Sequence, residues 1–135
     1  MRKHVVIVGG GRVGRHVAEQ LGEDQYTVTI IERDPRTCEQ LASRLGEVVE
    51  GDGTDPDVFE RADPAEADVI AALTNDTEVN LEICEMAQET VPDVRTILRI
   101  ARDGEQAYGS RSFVDDVVYP AAAGATAAVD RINRV

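Results

Sequence analysis

The stretch Val5-Val6-Ile7-Val8-Gly9-Gly10-Gly11-Arg12-Val13-Gly14 decides the fold of this chain. Its first four residues are apolar and β-branched, which suits a strand buried on both faces of a parallel sheet. Beyond the glycines, Val13, Val17, Ala18 and Leu21 recur at helical spacing from Arg12 to Leu21, and Gly22 is expected to stop that helix. Strand, glycine turn and helix in this order give Gly9, Gly11 and Gly14 the setting that a G-x-G-x-x-G turn needs. The first glycine permits the tight turn, the second lets backbone approach a pyrophosphate, and the third allows close packing of helix on strand. The helix N-terminus then offers unpaired N–H groups to an anion.

Working outward, a second strand is expected at Thr27 to Glu32. A helix opens at Asp34-Pro35, turns Cys38, Leu41, Ala42 and Leu45 inward, and ends at Gly46. A third strand follows at Glu47 to Glu50, then a turn at Gly51 to Thr54 and a brief helical piece opening at Asp55-Pro56. Ala67 to Leu73 reads as the fourth strand and Asn75 to Thr90 as a long helix with Thr74 or Asn75 as its cap. Val94 to Ile100 reads as the fifth strand and Gly104 to Ser112 as a weaker helix. Asp116 to Tyr119 is a sixth strand ended by Pro120, and Ala121 to Val135 a last helix. Such alternation predicts a Rossmann-type, doubly wound α/β domain with a mainly parallel six-stranded sheet and right-handed crossovers. The chain is read as one domain over 1–135, with a core over 1–120 and a C-terminal crossover helix over 121–135. No separate substrate domain of the kind most dehydrogenases need is left over.

Composition bounds the function. The chain has 135 residues, of which 26 are acidic and 14 basic, for a formal net charge of -12, and Lys3 is the only lysine. That field disfavours nucleic acid and anionic membranes, whose binding depends on basic side chains displacing counterions. Scattered carboxylates with arginine in place of lysine suggest a halophilic source, or simply a well-hydrated surface. Cys38 and Cys84 stand apart from each other and from any histidine, so they are read as buried thiols of a reducing cytoplasm. No apolar run has the length of a membrane span.

Glu32, at the end of the second strand, lies where a carboxylate accepts hydrogen bonds from ribose hydroxyls and repels a 2′-phosphate, favouring NAD(H) or a free-ribose adenine nucleotide over NADP(H). Arg33 beside it is either a phosphate contact or a solvated flank. Arg12 in the turn and Arg99 on the fifth strand can reach phosphates from the carboxyl edge of the sheet, or serve as surface ion-pair partners. Asp52 and Thr54 either contact adenosine or cap the piece that follows them. Leu73, Thr74, Asn75 and Asp76 end the fourth strand at the topological switch point, where the distal part of a nucleotide is expected to lie. No catalytic constellation is read: Tyr26, Tyr108 and Tyr119 have no lysine four residues on, and His4 and His16 lie away from the nicotinamide end.

These residues together resemble the TrkA N-terminal (KTN) domains, also called RCK domains, that regulate potassium conductance. The likeness runs the length of the chain. It is carried by Val6-Ile7-Val8-Gly9-Gly10-Gly11-Arg12-Val13-Gly14, Val28-Thr29-Ile30-Ile31-Glu32-Arg33-Asp34-Pro35, Gly51-Asp52-Gly53-Thr54-Asp55-Pro56 and the run from Ala67 through Asn75-Asp76-Thr77 to Leu81. Weaker echoes are the Arg99 strand and Asp115-Asp116-Val117-Val118-Tyr119-Pro120. The resemblance implies a non-catalytic cytoplasmic regulatory subunit, peripheral at the inner face of the membrane. It would bind NAD or NADH, or alternatively ATP or ADP, and act as a homodimer or larger ring on a membrane potassium channel or transporter. It also implies that Gly9, Gly10, Gly11, Arg12, Val13 and Gly14 cradle the phosphates, that Glu32 holds ribose, that Asp52 and Thr54 lie beside adenosine, and that Arg99 senses a terminal phosphate. The rival reading is a small NAD-dependent oxidoreductase or its cofactor half. Two departures stand out: such subunits usually carry a further C-terminal domain, and Gly53 replaces a more usual alanine, a change expected to matter little. The face Ala125, Ala128, Val129, Ile132, Val135 is read as packing either on a neighbouring subunit or on its own sheet.

Overall fold

The first strand carries its apolar side chains to both faces of the sheet, and the whole architecture follows from that. The structure, a computed structural model, describes residues 2–135. Strands β1 (His4–Val8), β2 (Thr27–Glu32), β3 (Glu47–Glu50), β4 (Val69–Ala72), β5 (Arg95–Arg99) and β6 (Asp116–Val118) form one sheet in the order β3-β2-β1-β4-β5-β6. Every pairing is parallel, with Val8 opposite Ile31 on one side and Ala72 on the other.

Val5 and Ile7 point to one layer, where they meet Ala18 of α1 (Arg12–Glu23) and Leu41 of α2 (Pro35–Leu45). Val6 and Val8 point to the other, against Phe59 of α3 (Pro56–Glu60) and Ile83, Cys84 and Ala87 of α4 (Thr77–Thr90). Two cores thus sandwich the sheet, and the chain reverses its direction of winding between β1 and β4. In open parallel sheets that reversal leaves a crevice at the carboxyl ends of the strands.

Several boundaries differ from expectation. Gly22 does not stop α1, which runs on to Glu23 and ends in a turn with Gln25 at φ 67°; a glycine with open space around it weakens a helix without breaking it. Asp76, rather than Thr74 or Asn75, caps α4, its carboxylate accepting from the N–H groups of Glu78 and Val79. The stretch after β5 forms only a 3-10 turn at Gln106–Ser110. The last helix, α5, spans Pro120–Ile132 and buries none of its residues, with Val129 at 53% and Ile132 at 68% exposure, so it does not pack on its own sheet.

Candidate functional site

The crevice at the β1/β4 switch point is a cleft of about 720 Å³. Of the residues singled out in the sequence it gathers Gly9, Gly11, Arg12, Glu32, Arg33, Asp52, Thr54, Leu73, Thr74, Asn75 and Arg99. Gly10, Val13 and Gly14 do not line it, for reasons the turn itself supplies.

The glycines divide by what they are for. Gly9 has φ +107°, and a Cβ there would come within 2.8 Å of the Thr74 backbone nitrogen, so the turn and the end of β4 touch main chain to main chain. A Cβ on Gly14 would collide with the carbonyl oxygen of Gly9, and one on Gly10 with the Leu41 side chain. Packing against backbone requires Gly9 and Gly14, whereas at Gly10 only the buried Leu41 side chain would have to shift. At Gly11 packing requires nothing: a Cβ there would meet nothing within 4 Å, and its backbone, at φ -76°, suits any residue. It is the N-cap of α1, and no side chain caps that helix, so first-turn N–H groups are left open at the cleft.

Glu32 is half-buried opposite this turn. One carboxylate oxygen accepts from the Gly10 N–H at 2.8 Å and the other from the Asp34 N–H at 2.8 Å. The side chain thus braces the glycine turn against the start of α2, and its remaining lone pairs face the cleft rim. The backbone of the same residue is held too: its carbonyl accepts from the Gly51 N–H at 2.9 Å and from the Cys38 thiol at 3.2 Å.

On the adenosine side expected from the motif, Asp52 accepts from both the N–H and the hydroxyl of Thr54. Those bonds hold its carboxyl below the usual aspartate range. Asp55, not Asp52, caps α3. Gly53 is buried, and a Cβ on it would come within 2.5 Å of a Val8 methyl, so its substitution for alanine is coupled to the size and rotamer of Val8 rather than being neutral.

At the distal end, the Arg99 guanidinium donates through Nη1 to the Leu73 carbonyl at 3.2 Å. Its Nε is buried and has no hydrogen-bond partner among the described residues. Burial pushes its pKa below the ordinary arginine value, yet a guanidinium stays charged at neutral pH. Asp76, expected at the switch point, borders the cleft too; Val79, Glu82 and Ile83 also border it and were not anticipated, because their roles as core and surface residues explain them locally.

The remaining candidates lie elsewhere. His4 opens β1, at the opposite edge of the sheet, with Nε2 3.0 Å from the Thr29 hydroxyl, and His16 is exposed on α1. Both thiols are buried, and burial pushes Cys84 up to about 12. Among the described residues no group of three or more His, Cys, Asp or Glu side chains is placed to hold a metal, and no helix is long and apolar enough to cross a membrane.

A six-stranded parallel sheet in this order, with a glycine turn and an uncapped helix at its switch point, defines a Rossmann-type nucleotide-site architecture. Residues 5–120 match the model of the TrkA-N domain, and the chain belongs to that family. It is 35% identical over 123 residues to a Trk system potassium uptake protein TrkA homolog of Pyrococcus abyssi, and 38% identical over 120 residues to that of Methanothermobacter thermautotrophicus. Each alignment covers 87% of this chain and 54% of the relative, so the chain spans about half the length of these relatives. Among solved structures, the TrkA-N domain of the inner membrane protein ybaL from Escherichia coli superposes with a TM-score of 0.86 at 24% identity, covering 96% of both chains. The Kef C-terminal domain of Shewanella denitrificans in its AMP-bound form gives 0.77 at 20% identity, covering 97% of this chain and 80% of that one. GsuK bound to ADP gives 0.75 at 25% identity, covering 95% of this chain and 33% of that one.

Proposed function

We propose that this chain is the nucleotide-sensing cytoplasmic part of a potassium-transport system, binding NAD(H) or an adenine nucleotide in the β1/β4 cleft and regulating a membrane channel or transporter. The observation that carries the reading is Gly11. The fold has no need of a glycine there, whereas a phosphate chain approaching the open amides of α1 does. In this reading Arg12 contacts a phosphate, Glu32 takes ribose on its free lone pairs, and Asp52 and Thr54 border adenosine. Leu73, Thr74 and Asn75 flank the distal group, while Arg99, which lines the same cleft, meets a terminal phosphate. Arg33, exposed at the rim, is a secondary phosphate contact. The names of the TrkA relatives support potassium uptake as the process, and the ligands of the similar Kef and GsuK structures support an adenine nucleotide.

The regulated transporter is the membrane partner, and the domain sits at the inner face of the membrane through it. Copies of the domain pair, and the exposed apolar face of α5 is suited to that contact. The bound nucleotide acts by favouring one arrangement of the pair over another, which requires different affinity for the two. Thermal-shift titration in molar potassium chloride with NAD, NADH, NADPH, ATP and ADP tests the site. A ligand at 100 times its dissociation constant stabilises by about 2.7 kcal/mol, and Gly11→Val is expected to abolish the shift. No shift with any of the five would overturn the reading, and steady NADH turnover on carbonyl substrates would replace it with an oxidoreductase.

A further inference from the structure

We infer that Asn80, which does not line the cleft, is the positioning residue that sets its distal wall. Its side chain is fully buried on the second turn of α4. Oδ1 accepts from the Thr74 N–H at 2.9 Å and the Thr74 hydroxyl at 2.6 Å, while Nδ2 donates to the Thr74 carbonyl and the Arg99 carbonyl, both at 3.0 Å. Two acceptor and two donor capacities are all used, and the amide has one possible orientation, because the reverse would set its oxygen against two carbonyl oxygens.

The groups joined in this way belong to different strands. Thr74 follows β4, Arg99 ends β5, and both line the cleft, whereas Asn80 does not. The Arg99 guanidinium closes the circuit by donating to the carbonyl of Leu73, next to Thr74. One amide therefore fixes the spacing between the two walls and the direction from which Arg99 enters. Although Ile83, Cys84 and Ala87 are buried on the same helix, an apolar side chain at this position would leave the Thr74 N–H and the Thr74 and Arg99 carbonyls without these partners.

Thr77 supplies the internal comparison. It is also buried, one turn earlier on α4, and its hydroxyl accepts from the Ala101 N–H at 2.8 Å and donates to Glu105 at 2.6 Å. Its partners lie outside the cleft, so its loss costs hydrogen bonds without moving the wall.

The inference rests on the nucleotide reading of the cleft, and its test separates the two. Dissociation constants for AMP and ADP are measured by calorimetry on the unaltered chain and on Asn80→Leu, Asn80→Ser and Thr77→Val, Leu keeping the volume where Ser leaves a gap. In the proposed pose AMP ends near the glycine turn, and the second phosphate of ADP extends toward Thr74 and Arg99. The preference for ADP over AMP is expected to fall about tenfold in either Asn80 variant, with AMP affinity nearly unchanged, and to survive in Thr77→Val. An unchanged preference in the folded Asn80 variants, or an equal fall in Thr77→Val, would overturn the positioning role. If the unaltered chain bound neither nucleotide, the positioning role would fall, while the reading of the cleft would stand or fall on NAD and NADH.

Discussion

A single carboxylate shows how far one side chain can serve two purposes. Glu32 was expected to hold ribose, and its oxygens also accept from the amides of Gly10 and Asp34. Glu32→Ala is therefore expected to cost about 1–2 kcal/mol of stability in urea denaturation, near the lower end for two hydrogen bonds to a charged acceptor at a half-exposed site, besides weakening every ribose-bearing ligand in calorimetry. Retained stability would mean that the glycine turn holds without its brace. Gly11 and Gly14 make the complementary pair. Gly11→Ser places a hydroxyl at the uncapped start of α1 and should raise stability by a few tenths of a kcal/mol, roughly the gain of a capping side chain over glycine, while reducing nucleotide affinity. Gly14→Ala drives a methyl group into the Gly9 carbonyl and should cost roughly 1–3 kcal/mol, as overpacking does. Equal behaviour of the two variants would contradict the division of the glycines.

Elements were legible where their signal is local. The strands announced themselves as apolar runs, and the starts of α2 and α3 as Asp-Pro pairs, because capping and proline geometry act within a turn of chain. The start of α4 was misread because Thr74, Asn75 and Asp76 all suit a cap. What decides between them is distant: the Thr74 hydroxyl is already engaged with Asn80, leaving Asp76 to cap. Asn80 itself was invisible for the same reason, since its partner Arg99 is 19 residues away in sequence. Two hydrogen-bonded aspartates, Asp34 at the start of α2 and Asp52 in the turn before α3, carry a pH dependence. Bonds from Thr37 to Asp34, and from Thr54 to Asp52, lower both pKa values from the ordinary aspartate value. A depressed carboxylate contributes stability that is present above its unfolded pKa and lost as pH falls through the folded one, here below about pH 4. Melting temperature followed across that range should drop, and Asp52→Asn should make the drop shallower. At the other end of the chain α5 buries none of its residues. Removing residues 121–135 should leave urea stability within about 0.5 kcal/mol at concentrations where the chain is a monomer, and a larger loss would mean that the helix supports the core.

At the scale of the molecule, charge and topology act separately. The net charge is -12, and only the Arg44–Glu19 and Arg95–Asp116 pairs join opposite charges among the described residues. Repulsion among the unpaired carboxylates opposes compaction and is screened by salt. From 0.1 M to 1 M potassium chloride the screening length shrinks from about 10 Å to about 3 Å. The melting temperature should rise by about 4 °C, the equivalent of roughly 1 kcal/mol for a domain of this size; a fall would show that attractive surface pairs dominate. The order of the sheet was readable because six apolar runs alternate with helical stripes, whereas the field of the folded surface depends on which charges end up adjacent. The cleft combines both scales in its floor. There Gly9 meets the backbone of Thr74, and the amides of α1 stand open, while Arg12, Glu32, Arg33, Asp52, Asn75 and Arg99 stand at the rim. Peptide groups cannot be exchanged by point mutation, but rim side chains can. On the proposed reading, descent with modification can therefore change which nucleotide such a domain reports, one rim residue at a time, while the peptide floor holds each guest in the same pose.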